Sequence, residues 1–382
     1  MKTPIYLDYH ATSPVDPRVL EVMLPFLRED FGNAASRQHV FGWKAEAAVT
    51  RAREQIAAAL GAEAKEIIFT SGATEANNLA LFGIVAAYRE RGRHLITAAT
   101  EHRAVLDPCR HLESQGFAIT VLPVDTEGRI SLEALQAALR PDTILISLMA
   151  ANNEIGTLHD LAAIGRLAKE KNILFHSDAA QAAGKIPLNV TELGIDLLSL
   201  SAHKFYGPKG IGALYVRQRN PRVQLQPIIF GGGHERALRS GTLNVPGIVG
   251  MGEALALAVR EMPQESLRLS GLRERLRDRI FSRLENVRVN GPRSGRLSNN
   301  LNLCFTGVNS DALMMEMKEV AVASGSACSS ASPEPSHVLR AIGLNVEEAK
   351  ASIRFGLGRW TTEEEVDYTA DRIVEVVPRL RD

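Results

Sequence analysis

Short apolar runs at positions 67–70, 95–98, 119–122, 144–149, 173–175 and 197–200 recur along the first two thirds of the chain, mostly separated by segments of helix length. Runs of this length read as buried strands, and their alternation with helical stretches predicts an α/β fold with a largely parallel sheet. The run 212–216 follows the sixth strand after only a short glycine-rich link, too short for a crossover helix, so it is expected to pair antiparallel or lie elsewhere in the sheet. Ahead of the alternation, residues 5–16 read as an irregular arm leading to a helix, with Asp16 as N-cap and Pro17 in the first turn. An alanine-rich helix is predicted from about Trp43 to Leu60, ending at Gly61. Around 254–284 the pattern changes to a long arginine- and glutamate-rich helix, read as a bridge to a second domain with its charges on a solvated face. Two more strands are expected near 301–305 and 352–355, with a terminal helix from Glu363. There is no internal repeat. One segment, 323–336, is low in complexity and too small and polar to pack firmly.

At 382 residues the chain is too long for one compact core, so two domains are expected. Lysine plus arginine equals aspartate plus glutamate at 44 each, so no overall field favours nucleic acid or an anionic membrane, and partners must be read from local sites. The start carries no basic segment followed by an apolar stretch, and no later apolar run would span a bilayer, which makes a soluble cytoplasmic protein the default. Cys109, Cys304 and Cys328 are an odd set without close metal-ligand spacing. Neither a disulfide framework nor a zinc site is suggested, and at least one thiol is free.

In an open α/β sheet ligands collect beyond the carboxyl ends of the strands, so the residues placed there carry the functional reading. After the run 67–70 comes Ser71-Gly72-Ala73-Thr74-Glu75, which opens a helix and offers amides and a hydroxyl to a phosphate; the plainer reading makes Thr74 an ordinary N-cap. His102 follows the second strand and suits stacking or proton transfer, although most such histidines are surface residues. Asn152 and Asn153 follow the fourth. Asp178 and Gln181 follow the fifth, where a buried carboxylate needs a positive partner such as a protonated pyridine nitrogen. The sixth strand ends in Ser201-Ala202-His203-Lys204, an amine flanked by hydroxyl and imidazole, the arrangement that holds pyridoxal phosphate as a Schiff base. Five strand ends thus suit one phosphorylated aromatic cofactor.

At these positions the sequence resembles the NifS/IscS branch of the cysteine desulfurases, within the pyridoxal-phosphate enzymes of the aspartate-aminotransferase fold. The resemblance is carried by Tyr6-Leu7-Asp8-Tyr9-His10-Ala11-Thr12, Thr70-Ser71-Gly72-Ala73-Thr74-Glu75, Thr100-Glu101-His102, Asn152-Asn153-Glu154-Ile155-Gly156, His203-Lys204-Phe205-Tyr206-Gly207-Pro208-Lys209-Gly210, Gly231-Gly232-Gly233-His234-Glu235, Arg239-Ser240-Gly241-Thr242, Ser324-Gly325-Ser326-Ala327-Cys328 and Ile353-Arg354-Phe355, in unbroken order over nearly the whole chain. It implies a large cofactor domain at 15–255 and a smaller α+β domain from 1–14 and 256–382 carrying a cysteine loop at about 323–336. It implies Lys204 as the Schiff-base lysine, Asp178 on the pyridinium and His102 stacked on the ring as a proton relay. Gln181 and Asn153 would contact the ring oxygen. Gly72, Ala73, Thr74, Ser201 and His203 would bind phosphate, with Thr242 reaching the phosphate of a neighbouring subunit in a homodimer. Arg354, with Asn153, would hold the substrate carboxylate, a geometry that suits a guanidinium.

The implied activity is conversion of L-cysteine to L-alanine, with Cys328 attacking the substrate sulfur as a thiolate and keeping it as a persulfide for sulfur acceptors such as an iron-sulfur scaffold. A thiol in a small, polar loop suits a nucleophile, whereas Cys109 and Cys304 read as buried filler. The alternatives are selenocysteine lyase or a plain aminotransferase on the same scaffold, or a sulfur-carrying module without turnover. Ala34 stands where the family usually has proline. Many relatives also continue beyond the position of Asp382 with a tail that helps dock an iron-sulfur scaffold, which leaves the acceptor open.

Overall fold

The computed structural model describes residues 3–324 and 335–381. The arm contains a short strand β1 (Ile5–Tyr6), and the first helix α1 (Pro17–Arg28) starts as predicted, with the Asp16 carboxylate accepting the Arg18 amide at 3.0 Å and Pro17 in the first turn. Helix α2 (Val40–Leu60) begins earlier than its alanine pattern, because His39 Nδ1 caps the Gly42 amide at 3.3 Å, and it stops at Gly61 in the left-handed region.

The alternation then follows as β2 (Ile67–Thr70), α3 (Ala73–Tyr88), β3 (His94–Ala98), α4 (Arg103–Ser114), β4 (Ala118–Leu122), α5 (Leu132–Ala138), β5 (Thr143–Ser147), α6 (Leu161–Glu170), β6 (Leu174–Asp178), β7 (Leu197–Ser201) and β8 (Gly212–Val216). These strands form one sheet in the order β2-β8-β7-β6-β5-β3-β4. All neighbours are parallel except β8, which runs antiparallel to both β2 and β7, as its short link requires. Strand order reverses at the β3/β5 boundary, the place where an open sheet offers a crevice. No helix joins β6 to β7: Gly184, Pro187 and Gly194 punctuate the link, and Asn189 Oδ1 accepts the Thr191 amide at 3.1 Å in a side-chain turn.

Successive residues of the inner strands face opposite sides. Ile68, Leu95, Leu145, Leu174 and Leu197 join one core with α3 and α4, while Phe69, Ile96, Ile146, Phe175 and Leu198 join the other with α2. Burial on both faces explains why the strands read as continuous apolar runs.

Helix α7 (Val245–Phe281) spans two cores. Its first half packs Ile248, Met251 and Leu255 against the main sheet, and its second half packs Leu269, Leu272, Leu276 and Ile280 into a separate core. That second core is completed by β9 (Val287–Val289), β10 (Asn300–Phe305), α8 (Ser310–Glu316), β11 (Val320–Ala321), β12 (Ser352–Gly356) and α11 (Glu363–Arg381), with residues such as Leu303, Phe355 and Ile373 at its centre, while α9 (His337–Ala341) and α10 (Val346–Lys350) pack Val338, Leu339 and Ala349 into a smaller cluster with Ile155. The sheet there runs β12-β10-β9, and β1 pairs with β11. Helix α7 starts well before the charged stretch because its amino half is glycine-rich by necessity: a Cβ on Gly252 would lie 2.8 Å from Ala52 Cα of α2. Among the described residues no helix is long and apolar enough to cross a membrane.

Candidate active site

The carboxyl ends of β2, β3, β5, β6 and β7 open into one cavity of about 450 Å³, closed on the far side by His10, Ala11 and Thr12 of the arm and by Arg354 of β12. Gly72, Ala73, Thr74, His102, Asn153, Asp178, Gln181, Ser201, His203 and Lys204 all line it, so the five strand ends do converge.

At one end α3 presents its amino terminus. Gly72 is the capping residue and supplies no side chain, and Thr74 sits in the first turn rather than at the cap, so the amino end of the helix and Thr74 lie together at the cavity wall, an arrangement that suits an anion. Gly212 lets β8 pass close by, since a Cβ there would lie 2.6 Å from Gly72 Cα. Ser201 and His203 come from the end of β7. Burial, then Lys204, Lys209 and Lys185, pushes the His203 imidazolium down to about 4, and its Nδ1 lies 3.0 Å from Thr12 Oγ1. A neutral His203 thus keeps Nε2 for a further partner.

At the floor lies Asp178, only 5% exposed. Asn77 Nδ2 donates to Oδ2 at 2.7 Å and the Ala180 amide donates to Oδ1 at 2.9 Å. Both donors are neutral, and no salt bridge reaches this carboxylate among the described residues, so its charge is left for a cationic ligand group to balance. Asn77 was missed in the sequence; the available signal was an amide on the buried face of an otherwise apolar helix.

Lys204 ends a single 3₁₀ turn, and its Nζ donates to His10 O at 2.5 Å and Ala11 O at 2.8 Å. The arm also clamps that turn through Ser13, whose Oγ donates to His203 O at 2.8 Å and accepts the Tyr206 amide at 2.9 Å. Tyr206 has φ 67°, an unfavourable backbone for a bulky residue, held by its hydroxyl donating to Glu265 at 2.9 Å and accepting the Arg359 amide at 2.8 Å. His102 caps α4, its Nδ1 accepting the Ala104 amide at 3.0 Å, so in the neutral ring the proton is on Nε2.

Arg354 is 1% exposed. Its Nη2 pairs with Asp8 at 2.7 Å and its Nη1 donates to Asn153 O at 3.1 Å, while Nε has no partner among the described residues. The guanidinium is therefore already held by Asp8, a partner the sequence reading did not assign, and two of its five N–H groups serve Asp8 and Asn153.

Thr242 is exposed in the turn ahead of α7 and does not line this cavity. Cys328 lies outside the described residues. The residues flanking its segment abut the site: the Ala323 amide donates to Arg354 O at 3.3 Å, Ser336 Oγ donates to Glu154 at 2.5 Å and His337 Nε2 donates to Glu101 O at 2.9 Å. Burial pushes the Cys109 thiol up to about 12 and raises that of Cys304, which keeps both as unreactive thiols.

The Aminotransferase class-V family matches residues 5–369. Cysteine desulfurase IscS of Anaeromyxobacter dehalogenans (strain 2CP-C) is 57% identical over 382 residues, covering 100% of this chain and 94% of the relative. A solved NifS-like protein superposes with a TM-score of 0.92 at 39% identity, covering 98% of this chain and 100% of the other. A structure described as SspA in complex with cysteine superposes at 0.82 with 41% identity, covering 94% and 100%. With this cavity on this sheet, and relatives matched end to end, the chain belongs to the class-V aminotransferase family, in its IscS/NifS cysteine desulfurase branch.

Proposed function

We propose that this protein is a pyridoxal-phosphate-dependent cysteine desulfurase that converts L-cysteine to L-alanine and retains the sulfur as a persulfide on Cys328, for transfer to acceptors in iron-sulfur cluster or other thio-cofactor synthesis. The carrying observation is the buried Asp178 carboxylate, bonded only to neutral donors, in the same cavity as the Lys204 amine and an anion-binding helix terminus. That donor set fits the cofactor end for end. Lys204 would hold it through Nζ, Asp178 would balance a protonated ring nitrogen, and His102 would lie at the ring. Gln181 and Asn153 would serve the ring oxygen. Gly72, Ala73, Thr74, Ser201 and His203 would serve the phosphate.

When bound, the cofactor supplies an electron sink for charge developing at the substrate α-carbon. The Arg354 guanidinium, fixed by Asp8, binds the substrate carboxylate with N–H groups that Asp8 and Asn153 leave, and Asn153 lies beside it. Lys204 Nζ would take the α-proton. His102, whose Nδ1 is occupied, moves protons to and from the thiols at Nε2. Cys328 as thiolate forms a bond to the substrate sulfur as the substrate carbon–sulfur bond breaks; the bonding pair stays with carbon, which is protonated to give alanine. The likeness to a structure solved with cysteine supports this substrate.

The reading includes a homodimer in which Thr242 serves the neighbouring subunit's phosphate, in keeping with its exposure here and with the exposed apolar side chains of Phe31, Phe41, Trp43 and Phe230. It also includes the two domains 15–255 and 1–14 with 256–382, and a cytoplasmic location. The deciding experiment is mass spectrometry after brief exposure to L-cysteine, with alanine quantified in parallel. The expected result is a gain of ~32 Da on the Cys328 peptide, one sulfur, with matching alanine. Alanine without modification of Cys328 would make the chemistry lyase-like.

A further inference from the structure

Lys185 lies in the turn after β6 and has no part in the chemistry above. Its Nζ donates to both oxygens of Gln181, the main-chain O at 3.1 Å and the side-chain Oε1 at 3.3 Å. An ammonium only donates, so the Gln181 amide must turn its oxygen toward Lys185 and its NH₂ group away. That NH₂ donates to His10 O at 2.9 Å, the same carbonyl that accepts Lys204 Nζ at 2.5 Å. His10 Nδ1 lies 3.1 Å from Gln181 Oε1 on the other side. One glutamine side chain is therefore held by Lys185 and His10 together, next to the carbonyl that also accepts Lys204, and its second N–H is the donor it has left.

We infer that Lys185 is a positioning residue that clamps Gln181 by both oxygens and polarises its amide, so that a strengthened Nε2 donor meets the ring oxygen of the cofactor. The inference rests on the cofactor reading of this cavity. The groups facing Lys185 are Lys204 and His203 from the β7 turn, His10 from the arm and Glu265 from α7. Burial first and Lys204 second push its amine down to about 7, with Glu265 opposing them. A cation placed there also disfavours a proton on the neighbouring lysine nitrogen, the device by which an adjacent charge keeps a reactive amine unprotonated.

The test compares wild-type, K185M and K185R holoenzymes. The visible band of the cofactor is titrated between about pH 6 and 10, and binding of pyridoxal phosphate is measured alongside. Loss of the clamp, and of the charge Lys185 carries while protonated, is expected to raise the pH midpoint of the band in K185M by about one unit, most of it through the Gln181 amide, and to lower kcat/KM about tenfold. K185R, which keeps the charge, is expected to stay within about 0.3 units of wild type. In a Gln181→Leu background K185M should shift the midpoint by less than half as much, because the route through the amide is gone. A K185M midpoint equal to wild type overturns the inference, as does a full, additive shift in the Q181L background. If K185M folds poorly, K185Q carries the same expectations. Borohydride reduction separates the two levels: no adduct on Lys204 of the wild type sinks the cofactor reading and this inference with it, whereas a labelled Lys204 with an unmoved K185M band sinks this inference alone.

Discussion

Two carboxylates at opposite ends of the neighbouring strands β6 and β7 show what separates a site from scaffolding. Asp196, just before β7, is buried, accepts the Phe175 amide at 2.9 Å and pairs with Arg217 at 2.5 Å. Asp178, at the end of β6, is equally buried and accepts two neutral N–H groups. The cavity at the Asp196 end is the larger of the two, about 560 Å³ against about 450 Å³. Size therefore does not distinguish them. What does is the charge left unbalanced at the Asp178 end, beside an amine and an anion cradle, because a buried charge without a counter-ion costs more than the two hydrogen bonds return.

The largest effect expected is that of Lys204→Ala: desulfurase activity falls roughly 10⁴-fold and the borohydride-fixed adduct disappears, read by alanine production and peptide mapping. Next comes the pair that tests the comparison directly. Asp178→Asn should lower kcat/KM by ~10²–10³-fold while leaving the cofactor-free protein as stable as wild type or more so, by up to about 1 kcal/mol. Asp196→Asn should do the reverse, costing about 1–3 kcal/mol in denaturant melts with activity per folded molecule within about twofold of wild type. Equal activity losses in the two variants would erase the distinction. Arg354→Lys, which cannot serve Asp8, Asn153 and a carboxylate together, should raise KM for cysteine ~10–100-fold with a smaller change in kcat.

The smallest effect concerns His176, buried in β6 between Ser147 Oγ at 2.8 Å and Ser199 Oγ at 2.9 Å. Burial pushes its imidazolium down to about 4 from 6.5, with Asp178 opposing. Between these values the unfolded chain binds the extra proton, so stability is lost as pH falls through that window, about 1 kcal/mol between pH 7 and 5.5. Thermal melts of His176→Gln should be flatter over that range. Melts of Asp178→Asn should be slightly steeper, since the anion that supports a charged His176 is gone.

Much of the site was legible because a parallel sheet brings sequence-distant turns to one edge. Residues following five apolar runs needed no packing detail to be placed together, and Lys204, Asp178, His102, Gln181 and Asn153 all line one cavity. The β6–β7 link reads as a crossover of helix length, yet its one proline and two glycines make it a series of turns. The start of α7 was hidden because glycines that look like breakers are there for close approach, Gly252 to α2 and Gly250 to Met23 of α1. Asn77, Asp8 and Lys185 were passed over for another reason: each acts on a residue far away or through another side chain, and nothing in local spacing marks that.

The sequence by itself determined the α/β alternation, the residues at each strand end and the family, because hydrophobic period and turn chemistry are local properties of the chain. Only the tertiary structure decided which charges are balanced. Asp196 finds Arg217 where the neighbouring strands β7 and β8 pair, Arg354 finds Asp8 from the arm, and Asp178 finds only amides, since such pairing depends on strand register and on how layers pack and not on spacing along the chain.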